Sequence, residues 1–85
     1  MSEDALQRAS DVKVRHEAGL LRKANVLSVG VGYRQRRDLL TDEVVLVVSV
    51  SRKMRRDQLH SDDIIPGYIE GIPVDVQETG VLRAL

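Results

Sequence analysis

The sequence predicts an α+β fold: an N-terminal helix packed on a small, mainly antiparallel three-stranded sheet, with a short helical turn before the last strand. Three observations carry this prediction. Residues from Ser2 to about Lys23 contain no Pro and are rich in the straight-chain helix formers. Two apolar, valine-rich runs follow, Val26–Tyr33 and Val44–Val50. Last, Ile72, Val74 and Val76 alternate with other residues after a tight turn at Glu70-Gly71.

In the helix, Leu6, Ala9, Val12, His16, Leu20 and Lys23 recur at steps of three or four and trace a mixed stripe. Gly19 weakens it, and Asn25 is placed to end it in a left-handed conformation. The odd positions of the first strand, Leu27, Val29, Val31 and Tyr33, share one face, with Val26, Ser28, Gly30 and Gly32 on the other. Glycines inside a strand mark a bulge or the close approach of another backbone, so a helix or neighbouring subunit is expected over Gly30 and Gly32. A phosphate-binding reading fails because position 35 of the G-x-G-x-x-G pattern is Gln and no helix follows.

Nine residues, Arg34 to Asp42, separate the two strands. That length suits an open hairpin loop and is too short for a crossover helix, so the strands pair antiparallel. Leu39 and Leu40 within this loop must fold back on the core or meet a partner. The second strand has no alternation: Val44, Leu46, Val48 and Val50 face one way, Val45 and Val47 the other. A strand apolar on both sides is covered on both sides, by the helix on one and by the segment near residue 55 or a second protein on the other. Asp57 to Asp63 holds the helical turn, Pro66-Gly67 bends the chain, and Pro73 suits an edge strand or strand start. The sheet spans 26–78, and 80–85 form a tail or docking segment of this single domain.

Composition narrows the function classes. Eighty-five residues with no Phe, Trp or Cys give a small core that buries about 60–65% of the unfolded chain's surface. A partner surface is one way to make up the deficit. Thirteen basic and thirteen acidic residues cancel, which argues against binding driven by net positive charge. The longest uncharged apolar run, Val44 to Ser51, falls far short of the roughly 20 residues of a membrane span. The acidic first residues do not resemble a signal peptide, and a cytoplasmic setting without membrane contact is expected.

No catalytic signature surrounds any serine, cysteine is absent, and only His16 and His60 are available as imidazole bases. An enzyme is not expected, and neither is a cofactor. Asp57, His60, Asp62 and Asp63 are metal-ligand types at loose spacing, but they lack the central Gly and distal Glu of a calcium loop; capping and solvation account for them. Two basic clusters, Arg34-Gln35-Arg36-Arg37 and Arg52-Lys53-Met54-Arg55-Arg56, sit at opposite ends of the second strand, about 25–30 Å apart at roughly 3.3 Å per residue. Arg36, Arg37, Arg52, Lys53, Arg55 and Arg56 are the candidate phosphate contacts of a nucleic-acid-binding alternative.

One resemblance adds to this reading. Asn25-Val26, Val29-Gly30-Val31-Gly32-Tyr33, Glu43 to Val50, Lys53, Leu59, Asp63 with Ile65-Pro66, and Ile69 to Val76 resemble the small module that precedes the catalytic domain in bacterial Nal1-like, trypsin-like serine peptidases. The similarity covers roughly residues 24 to 80. It implies a non-catalytic N-terminal domain for assembly, substrate presentation or control of the peptidase, and carries no catalytic residues. After Gly80 the sequence departs from the pattern, so it reads as a free-standing version or an excised piece. The expected function is a non-enzymatic interaction module, a homo-oligomer or a dock for a peptidase domain, using Leu39, Leu40, Val45, Val47, Leu82 and Leu85. A peptidase pro-segment or inhibitor is a further alternative.

Overall fold

The computed structural model describes residues 3–79. Helix α1 (Glu3–Leu21) is followed by strands β1 (Val26–Arg36), β2 (Leu39–Val50), β3 (Tyr68–Ile69) and β4 (Ile72–Glu78), with two short 3₁₀ turns at Arg56–Gln58 and Ser61–Asp63. The fold is α+β, one helix on a sheet. Among the described residues that sheet has four strands, not three, in the order β1-β2-β4-β3.

Two pairings are antiparallel, β1 with β2 and β3 with β4, while β2 and β4 run parallel. The parallel pair needs a crossover of a dozen or more residues, and the stretch between Val50 and Tyr68 supplies it. The two-residue strand β3 then turns back through Glu70 (φ 51°) and Gly71 (φ 82°) into β4, the tight turn expected from Glu70-Gly71. Pro73 is the second residue of β4, the strand start that a missing N–H tolerates.

The first loop differs from expectation. Arg36 pairs with Leu39, so only Arg37 and Asp38 turn the chain, and the residues on either side extend β1 and β2. Arg37 takes the left-handed conformation (φ 55°) that a two-residue hairpin turn requires. The extended hairpin was hidden because its residues are exposed on both faces, which removes the alternation that marks a half-buried strand.

The core lies between α1 and one face of the sheet. Ala9, Val12 and Leu20 pack against Leu46, Val48, Val50, Ile69, Ile72 and Val74, with Val26, Val29, Val31, Val44, Ile65 and Val76 partly buried around them. Burying one such aliphatic side chain contributes about 1.5–3 kcal/mol. A register shift between Val26 and Ser28 places Val26 opposite Val50 on this face. Leu27, expected inside, is instead 47% exposed, because the bulge swings it off the core row. Asn25 does adopt the left-handed conformation (φ 69°), at the entry to β1.

Residues 52–65 lie on the helix side of the sheet, against the end of α1. Lys23 Nζ donates to the Asp62 carbonyl at 2.6 Å, and the Ala24 N–H donates to the Asp63 carboxylate at 3.0 Å. This corrects the expectation that the segment near residue 55 covers the opposite face. Among the described residues, no helix is long and apolar enough to cross a membrane.

Candidate interaction surface

The far end of the β1–β2 hairpin is a projecting arm. All six residues from Gln35 to Leu40 are exposed, and Leu39 and Leu40 are each 73% exposed. Successive strand residues point to opposite faces, so the arm presents one leucine on either side. Its base is braced: Arg34 Nε donates to Glu43 Oε1 at 2.7 Å, and Thr41 Oγ1 donates to the Arg34 carbonyl at 2.9 Å. Leu39 and Leu40 therefore do not fold back on the core.

The sheet face away from α1 carries Ser28, Gly30, Gly32, Val45, Val47 and Ser49 in register. A shift between Tyr33 and Gln35 turns the hairpin, and the Gln35 N–H reaches the Asp75 carboxylate on β4 at 3.4 Å, across β2. Val45, on the same face, is completely shielded. It is thus no contact residue of this chain, which corrects the expectation. The apolar character of Val45 is thus accounted for by shielding within its own chain. Val47 stays half-buried and leans over Gly32, its Cγ2 only 3.2 Å from where a Cβ on Gly32 would sit. Gly30 has no atom within 4 Å of that position. Neither glycine lies under the helix, which corrects that part of the expectation, and among the described residues the close approach to Gly32 is by Val47. Leu82 and Leu85 fall outside the described residues.

The candidate phosphate contacts remain divided. Arg36 and Arg37 are exposed on the arm, and Arg52, Lys53 and Arg55 are exposed beyond the other end of β2. Arg36 lies 4.0 Å from Glu43, and Arg55 lies 3.3 Å from Asp57. The Arg56 side chain falls outside the described residues. A recess of about 280 Å³ beside Arg52 and Lys53 is floored by Val50, Ile65 and Val76.

One cluster has no trace in sequence spacing. Glu70, in the β3–β4 turn, receives Arg15 Nε at 3.0 Å and Nη2 at 2.7 Å, while His16 Nε2 lies 2.7 Å from its Oε2. The Arg15 guanidinium first, then His16, holds the Glu70 carboxyl down at about 2. Partners 54 and 55 residues apart leave no local pattern to find. Around the acidic segment, the His60 side chain caps the turn at Ser61–Asp63 by accepting from the Asp62 N–H. Among the described residues, no group of three or more His, Cys, Asp or Glu side chains is placed to hold a metal ion.

No protein-family profile matches this chain, and no curated protein matches it significantly.

Proposed function

We propose that this chain is a non-enzymatic protein-interaction module that docks onto protein through the β1–β2 arm. The observation that supports it is the pair Leu39 and Leu40, each 73% exposed on a braced, projecting hairpin. Adjacent exposed leucines on a rigid arm are costly to leave in water, and a partner surface recovers that cost. The resemblance over residues 24 to 80 favours a trypsin-like peptidase domain as the heterologous partner. The absence of cysteine accords with a reducing, cytoplasmic setting.

A photoreactive amino acid at position 40, irradiated in cells, tests the reading. A discrete protein adduct is expected from position 40 and none from position 52. If position 40 yields no protein adduct, and the purified chain instead binds DNA or RNA with an affinity that falls steeply as salt rises, the module binds nucleic acid and the proposal fails.

A further inference from the structure

We infer that the partner of the β1 edge is a second copy of this chain, joined strand to strand so that two four-stranded sheets become one of eight. The inference rests on the interaction-module reading but assigns a surface separate from the arm.

Among the described residues β1 is an edge strand, since the sheet order begins with it. Natural edges are defended by charge, proline or bulges. Here the bulges fall at Val26/Ser28 and Tyr33/Gln35. Between them, Ser28-Val29-Gly30-Val31-Gly32-Tyr33 contains no charged residue and no proline. Six undefended residues make a full strand's length, and on the side away from β2 every second one directs its backbone N–H and C=O outward. Val29, Val31 and Tyr33 stay only half-buried although they face the helix layer, so the core is left open along this side.

The helix above completes the surface. Arg8, Asp11 and Arg15 lie on the flank of α1 beside Glu70 and Ile72, and His16 and Gly19 lie near Tyr68 and Ile69. That flank faces β3. The opposite flank overhangs β1, and the helical wheel places Leu6, Val14 and Leu21 on it. Val14 is 73% and Leu21 44% exposed. The charged pair on the same flank, Lys13 and Glu17, is closed on itself at 2.8 Å, so two copies meeting here do not oppose like charges.

Register follows from parity. Directly opposed residues of antiparallel strands share a face. A two-fold axis perpendicular to the sheet preserves faces, so it must pass beside one residue and its own copy, not between two neighbours in the sequence. Within the undefended stretch, an axis at Val31 sets Val29 opposite Tyr33, an aromatic and β-branched pair of the kind that stabilises sheets, and Gly30 opposite Gly32. The same axis keeps both helices on one side of the joined sheet and brings Val14 and Leu21 of each copy to the seam.

The test uses the whole chain. Light scattering across a dilution series is expected to give a dimer. The double variant Val14→Lys with Leu21→Lys, both at exposed helical positions, is expected to weaken dimerisation about 30-fold while the circular dichroism stays unchanged. The chain has no native cysteine, so Val31→Cys is expected to oxidise to a covalent dimer and Ser49→Cys, on the interior strand β2, is not. A folded monomer at every concentration overturns the inference and leaves docking to another protein through the arm intact. It also fails if a dimer survives Val14→Lys with Leu21→Lys and does not cross-link through Val31→Cys. Loss of the dimer in Leu39→Lys with Leu40→Lys alone would move self-association to the arm and overturn it too.

Discussion

The Arg15 guanidinium grips the Glu70 carboxylate at two points, Nε to Oε2 at 3.0 Å and Nη2 to Oε1 at 2.7 Å, and so fastens the middle of α1 to the β3–β4 turn. Two parallel N–H···O contacts fix orientation as well as distance. The side chains are close to half in water, so the clasp sets the angle of the helix more than it adds stability.

The clasp makes stability depend on acid in a defined window. Arg15, then His16, lower the Glu70 carboxyl from 4.5 to about 2. A carboxylate with a depressed folded value stabilises the protein above its unfolded value and loses that contribution as pH falls through the folded one. The urea midpoint of the parent protein is therefore expected to fall more steeply between pH 4.5 and about 2 than that of Glu70→Gln. Identical acid slopes would show that Glu70 contributes nothing.

Leu46 and Leu40 lie on the same strand and should respond oppositely to truncation. Leu46 has no solvent exposure and sits in the core, whereas Leu40 is 73% exposed. Leu46→Ala is expected to cost about 2–5 kcal/mol, and Leu40→Ala to stay within about 0.5 kcal/mol. Denaturant titration of the monomeric form measures both, and a large loss in Leu40→Ala would place the arm within the folded core.

The two strand glycines should also separate. A Cβ on Gly30 meets nothing within 4 Å, while one on Gly32 meets Val47 Cγ2 at 3.2 Å. Gly30→Ala is expected to raise stability by about 0.5 kcal/mol, the ordinary gain from restricting a strand glycine. Gly32→Ala should fall short of it, because Val47 must shift. Thermal unfolding of the pair decides this, and equal effects would mean that Val47 yields freely.

Gly71 in the β3–β4 turn takes φ +82°, a conformation that costs an L-residue about 1–2 kcal/mol. Gly71→Ala should lose that amount in a chemical denaturation curve and, by loosening the turn that presents Glu70, should flatten the acid slope described above. A stability equal to the parent's would refute the turn's dependence on glycine.

Local physics made much of this fold readable and topology concealed the rest. The helix, the valine-rich strand and the Glu70-Gly71 turn each follow from neighbouring residues, and each is present. Strand β3 was missed because Tyr68-Ile69 is too short to show a period. The length of the hairpin was missed because Gln35 to Leu40 have no buried side. The reading of Val45 as a contact failed for a different reason. Apolar character shows that a side chain is covered but not whether its own chain or a partner covers it, and Val45 is shielded within this chain. Leu39 and Leu40 could be flagged from sequence alone, since two adjacent leucines among arginines and aspartates lack a local structural use.

The position of β4 between β2 and β3 governs how the chain is able to assemble. The β1–β2 hairpin closes over neighbouring residues and can form as soon as both strands have left the ribosome. β4 is the last of the described strands to be made, yet it occupies an interior slot, and Val74 must find Leu46 across more than twenty intervening residues. Until residue 78 has emerged, the Leu46–Val50 margin of β2 lacks its parallel partner, and an unpaired apolar strand margin of this kind favours aggregation over folding.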